Sequence, residues 1–146
     1  MPTSPTDPAT TPRRIEWCFS RHARSVGRAR NLFREQAAIW KLPEETTETA
    51  VLLLSELMTN AYRHARVPAG RQIRTLCLLQ DDRLRISVTD ANGTLPTPRE
   101  TAPEHESGRG LALVAALADG WGAQPRAGGI GKTVWFELCA PCAPDA

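Results

Sequence analysis

The sequence predicts a two-layer α+β sandwich, on three observations. Short alternating apolar runs come in hairpin-like pairs, two long runs of helical period are adjacent, and one Pro- and Gly-rich stretch separates two groups of strands. The resulting order, β-α-α-β-β-loop-α-β-β, keeps strands with strands and helices with helices, as expected of a sheet carrying a helical layer.

Each element has its own signal. Residues 14–20 place Ile15, Trp17 and Phe19 on one side and Glu16, Cys18 and Ser20 on the other, a strand with one buried face. Residues 21–40 carry Val26, Ala29, Leu32, Phe33, Ala37 and Trp40 at roughly helical spacing. Leu42 and Pro43 break that run, because the residue before a proline is pushed out of the helical region. Residues 43–65 form a second helix, with Glu44 and Glu45 in its first turn, where the helix dipole favours acids. Residues 72–79 and 84–89 read as two strands joined at Asp81 and Asp82. Residues 91–107 hold Gly93, Pro96, Pro98 and Pro103 and few large apolar side chains, a long irregular loop of the kind that usually serves function. A short apolar helix spans 110–118, and strands at 121–126 and 133–138 flank a turn at 127–132.

Composition narrows the function classes. The 146 residues fit one domain, expected over 13–139, with a disordered Pro/Thr/Ser-rich tail at 1–12 and a second tail at 140–146. The net charge of +2 and the 5% aromatic content argue against direct nucleic-acid binding, since neither a basic surface nor a stacking platform is evident. No apolar run reaches the ~20 residues that span a bilayer, so no membrane role is expected. The N-terminal stretch has no apolar core of a secretory leader, and a reducing cytoplasm is the expected location. Cys18 and Cys77 lie in apolar strand-like runs and are expected to be buried thiols. Cys139 and Cys142 have CxxC spacing, but no second ligand pair exists to complete a zinc site, so they read as tail.

Three places carry candidate chemistry. On the second helix, Leu53, Leu54, Leu57, Ala61 and Ala65 make an apolar stripe, and Glu56, Asn60 and His64 recur at i, i+4, i+8 beside it. A carboxylate one turn from an amide suits a base next to a metal ligand, because a neutral amide oxygen binds a hard cation such as Mg²⁺. The same spacing also suits a solvated helix face. Asp90 ends a strand, followed by Asn92 and Gly93. There it can accept from the amino group of a base, and Gly93 would let backbone approach the ligand, or the segment is an ordinary Asx turn. Gly108, Arg109 and Gly110 open a helix, where free backbone N–H groups and the dipole suit phosphate; the alternative is a hinge. Two decoys fail: a dinucleotide fingerprint would need glycine at Leu113, and Gly131-Lys132-Thr133 would need its first P-loop glycine at Arg126 and a helix after it.

Taken in order, these pieces resemble the GHKL ATPase superfamily of gyrase, heat-shock chaperone, histidine kinase and mismatch-repair ATPases. Residues 56–65, from Glu56 through Asn60, Arg63 and His64, resemble its N box; Asp90 to Gly93 resembles G1; Gly108 to Val114 resembles G2; Gly131 to Phe136 resembles the closing strand motif. G1 departs from the usual Asp-x-Gly-x-Gly, because Asn92-Gly93-Thr94 displaces one glycine. A stand-alone chain of this order is most similar to the bacterial anti-sigma factor / serine-protein kinase family. The resemblance implies a mixed, mostly antiparallel sheet with helices on one face, and an Mg–ATP site. It would make Asn60 the Mg²⁺ ligand, Glu56 the catalytic base and Asp90 the adenine reader. Arg63, His64, Gly93 and Leu111 would line the nucleotide site, Gly108, Arg109 and Gly110 would hold phosphates, Thr133 would support the adenine contact, and residues 91–107 would be the lid. The implied reaction is γ-phosphoryl transfer to a serine of an antagonist protein.

Arg21, Arg24 and Arg28 fall at i, i+3, i+7 of the first helical run. They read either as a solvated face or as a docking face for an acidic partner, such as the sigma factor or the antagonist that the resemblance implies; a homodimer is left open. Two other functions compete with the kinase: a non-catalytic ATP-binding interaction module, and a detached histidine-kinase catalytic domain. The last would need a phosphoacceptor on a dimerisation helix pair, and His22, His64 and His105 do not sit in one.

Overall fold

The computed structural model describes residues 12–64, 72–90, 106–125 and 131–140; for residues 63, 64 and 106–110 it describes the backbone alone. The elements are β1 (Arg13–Ser20), α1 (Arg24–Ile39), α2 (Glu44–His64), β2 (Gln72–Gln80), β3 (Arg83–Asp90), α3 (Glu106–Leu117), β4 (Gly120–Pro125) and β5 (Lys132–Cys139). The order is the one expected from the sequence. The strands form one sheet, β1-β2-β3-β5-β4, antiparallel in each of its four pairings, in keeping with the mostly antiparallel sheet expected. The reason is that each long connection returns the chain to the end of the sheet it left. Ser20 at the end of β1 faces Gln72 at the start of β2, and Asp90 at the end of β3 faces Lys132 at the start of β5.

Alternation divides the sheet into two faces. The inner face carries Phe19, Ile73, Cys77, Leu79, Leu84, Ile86, Val88, Val134, Phe136 and Leu138, all buried. Against it pack Ala50, Leu53, Leu54, Leu57, Met58 and Ala61 of α2, with Ala29, Phe33 and Ala37 of α1 and Val114 of α3 in the same core. The stripe read from the sequence is thus the α2 core face. The opposite face has no helix among the described residues. There Arg85 lies 3.9 Å over the Trp135 ring and bonds Glu137 at 3.1 Å. The other side of that ring leaves no room for a side chain at Gly122, where a Cβ would fall 2.8 Å from it.

Local chemistry sets the element ends. Helix α1 stops in a Schellman turn: Leu42 N–H donates to Ala37 and Lys41 N–H to Ala38, with Lys41 at φ 60 in the position glycine usually takes. The hairpin between β2 and β3 turns on Asp81 and Asp82, both at positive φ, the geometry that matches strand twist in a two-residue loop. Four expectations are corrected. Arg21 precedes α1 instead of lying in it, in a turn where Ser25 N–H donates to His22 carbonyl oxygen and the buried Ser25 hydroxyl donates to Ser20 carbonyl oxygen at 2.7 Å. Helix α3 opens at Glu106 rather than at 110. Cys18 is exposed, because it shares the open face with Glu16, while Cys77 is buried as expected. Ala140 is buried and donates its N–H to Asp82, so packing continues past 139; Cys142 lies outside the described residues. No described helix is long and apolar enough to cross a membrane.

Candidate functional site

Two contacts fix how α2 lies on the sheet. Thr75 hydroxyl donates to Met58 sulfur at 3.3 Å, one row in from the sheet end, and Arg21, just past β1, donates to Tyr62 carbonyl oxygen at 3.4 Å. Asn60 sits between these anchors on α2, and Asp90 and Lys132 lie opposite each other at the end of the sheet. Asn60 is only 5% exposed. The solvated-face alternative for this stripe is therefore excluded at Asn60. Glu56, one turn earlier, is half-buried. Its carboxylate borders the same side of α2, as the spacing required.

Asp90 is 3% exposed at the last position of β3. Directly across the strands lies Lys132, 1% exposed, whose Nζ donates to both carboxylate oxygens at 2.9 and 3.2 Å. Two buried charges of opposite sign thus close this end of the sheet. Thr133 does not join them. The alternation of β5 sends it to the open face, where its hydroxyl pairs with Thr89 at 2.8 Å. Lys132 is the residue that motif reading missed, having been set aside as part of a false P-loop. The alternation held the signal: Lys132 is in phase with Val134, Phe136 and Leu138, and a lysine in core phase requires an acid partner.

Helix α3 packs against α2. Because it opens at Glu106, Gly108 N–H is the last donor without an intrahelical partner, and Arg109 and Gly110 come one step further in. Leu111 is buried but stands outside the main hydrophobic cluster, a position suited to a pocket wall. The side chains of Arg63, His64 and Arg109, and all of Gly93 and the expected lid at 91–105, lie outside what is described. No group of three or more acidic, His or Cys side chains among the described residues could hold a metal by itself. A cation here would need ligands from phosphate as well as from Asn60. The donor set at that end fits a metal–phosphate group. At the other end, Asp90 fits a base amino group only if Lys132 gives way.

Of the partner face, Arg24 and Arg28 are exposed, whereas Arg21 turns inward to the C-terminal turn of α2. Arg34 is engaged with Glu48 at 3.2 Å, an exposed pair worth little energy.

The chain resembles known proteins at two levels. Residues 19–138 match the model of the histidine kinase-like ATPase domain. The crystal structure of the RsbU and RsbW domains of Rv1364c from Mycobacterium tuberculosis superposes with a TM-score of 0.69 at 19% identity, over 92% of this chain and 35% of that one. At that identity the likeness is one of fold, and this chain spans about a third of the other's length. No curated protein sequence matches. The match over most of the sequence, on a five-stranded antiparallel sheet covered by three helices, shows that this chain belongs to the histidine kinase-like ATPase domain family.

Proposed function

We propose that this chain is an ATP-binding regulatory protein of the anti-sigma type, with serine-protein kinase activity that transfers the ATP γ-phosphate to a serine of an antagonist protein. The observation that carries the reading is the burial of Asn60 one turn from Glu56 on α2. The motif resemblance and the fold likeness to the RsbU–RsbW chain support it. When bound, Mg–ATP supplies the phosphoryl group and the metal charge. Asn60 would offer its carboxamide oxygen to the metal. Gly108, Arg109 and Gly110 would hold phosphate oxygens, with Arg63, His64, Gly93 and Leu111 around the nucleotide and Asp90 at its base. Glu56 would accept the proton of the serine hydroxyl, directly or through one water. Arg24 and Arg28 would dock an acidic protein partner, in a cytoplasmic setting.

The test has two arms. Calorimetric titration with Mg–ATP should show binding that Asn60→Ala loses while its circular dichroism is unchanged. Phosphate transfer from labelled ATP to the cognate antagonist should fall about 10²–10⁴-fold in Glu56→Gln, the usual range for a general base. Undiminished ATP affinity in Asn60→Ala would remove the site; equal transfer by Glu56→Gln would remove the base. One observation favours a second reading, a non-catalytic module: the base-reading carboxylate is held by Lys132. Binding without transfer by either protein would select it.

A further inference from the structure

Among 18 lysines and arginines this chain has only two lysines, Lys41 and Lys132. Lys41 is exposed at the end of α1; Lys132 is the buried one. A short ammonium is thus used at one place in the interior of an arginine-rich protein, against the carboxylate at the end of β3. The pair spans directly opposed residues of β3 and β5, and Nζ is within hydrogen-bond distance of both oxygens. It sits at the first residue of β5, just after Gly131, whose φ of 106 is open to glycine and strained for other residues. A strand-end position after a glycine can give way without unzipping the ladder. The two ends of the site therefore differ. The Asn60 end holds a buried carboxamide, while the Asp90 end is already supplied with an N–H donor by the protein itself.

We propose that Lys132 is an internal ligand of Asp90 that stands in for the amino group of a nucleobase, so that nucleotide binds only by displacing the ammonium. The inference rests on the nucleotide reading of the site above. An exocyclic amino group and a lysine ammonium both donate N–H to a carboxylate, and the charged donor makes the stronger bond. The carboxylate is therefore held in a closed state. If the open state is about 10% populated or less, apparent affinity falls at least about tenfold below that of an open site. Lys132 then sets the nucleotide concentration at which the domain responds, and a phosphate-only ligand, which does not need Asp90, escapes the penalty.

The experiment compares wild type, Lys132→Thr, Lys132→Met and Lys132→Arg by calorimetry with Mg–ATP and with Mg–tripolyphosphate, after circular dichroism confirms folding. Lys132→Thr, or Lys132→Met should the threonine variant not fold, should bind Mg–ATP at least about tenfold tighter than wild type. Lys132→Arg keeps a cation on Asp90 and should stay as weak as wild type. Tripolyphosphate affinity should be the same in every folded protein. Equal Mg–ATP affinity in wild type and a folded Lys132→Thr or Lys132→Met overturns the displacement while leaving the nucleotide site standing. No Mg–ATP binding by any folded variant overturns both. Should neither neutral variant fold, wild type decides: a Kd for Mg–ATP of about 1 μM or tighter overturns the closed state, and one at least about tenfold weaker than for tripolyphosphate supports it.

Discussion

Removing one member of the Asp90–Lys132 pair, with no ligand present, tests the electrostatics of the site through stability alone. With exposures of 3% and 1%, neither survivor can be rehydrated in place. Lys132→Met leaves a buried carboxylate beside a thioether, and Asp90→Leu leaves a buried ammonium beside an alkyl group. Breaking a buried pair in this way costs about 3–5 kcal/mol, against a total stability of about 5–15 kcal/mol for a domain. The melting temperature should drop by roughly 10–15 °C for either single change. The double variant loses the desolvation cost of both charges together with their attraction, and should return to within about 1 kcal/mol of wild type or exceed it. Urea unfolding followed by the fluorescence of the four tryptophans gives all four corners of the cycle. Single changes costing under about 1 kcal/mol each, and additive in the double variant, would refute a buried, coupled pair.

Two further outcomes follow from other parts of the fold. Gly122→Ala should destabilise by about 1–3 kcal/mol, because its Cβ would meet a Trp135 ring that Arg85 holds from the other side; Trp135→Val in the same chain should restore most of the loss, and an unchanged urea midpoint for Gly122→Ala would contradict the packing. Burial pushes the Cys77 thiol up from 9.0 to about 12. Between those values the unfolded chain sheds a proton that the folded chain keeps, so stability falls as pH rises, by up to about 1.4 kcal/mol per pH unit. Cys77→Ala should flatten that slope, and native thiol titration should label Cys18 and Cys139 but not Cys77; labelling of Cys77 at neutral pH without unfolding would count against its burial.

Periodicity made the fold legible. The alternation of Ile15, Trp17 and Phe19 and the stripe from Leu53 to Ala61 each specify one buried face, and the structure buries those faces. Boundaries were harder, because local turns occupy them: Ser25 N–H donates to His22 carbonyl oxygen in a turn between β1 and α1 that leaves Arg21, which motif spacing alone had placed in the helix, outside it. Cys18 was misread by its apolar surroundings although its own alternation with Phe19 already assigned it to the open face. At the site, Asn60 was legible from its spacing to Glu56. Lys132 was not, since its role depends on Asp90, forty-two positions earlier and brought opposite only by the pairing of β3 with β5.

That separation bears on how the protein assembles. The Asp81–Asp82 turn lets β2 and β3 meet across a loop of two residues, whereas seating β5 on β3 must close a segment of about forty. The loop-closure term alone makes the second step about 2.7 kcal/mol costlier in chain entropy. Local pairing comes first and the sheet is completed late. Asp90 then stays hydrated through the early steps and loses its water only when Lys132 arrives. Pulsed hydrogen exchange during refolding should find β2 and β3 amides protected before those of β5; simultaneous protection would deny the order. The buried Asp90–Lys132 pair is, on this account, among the last features of the domain to form.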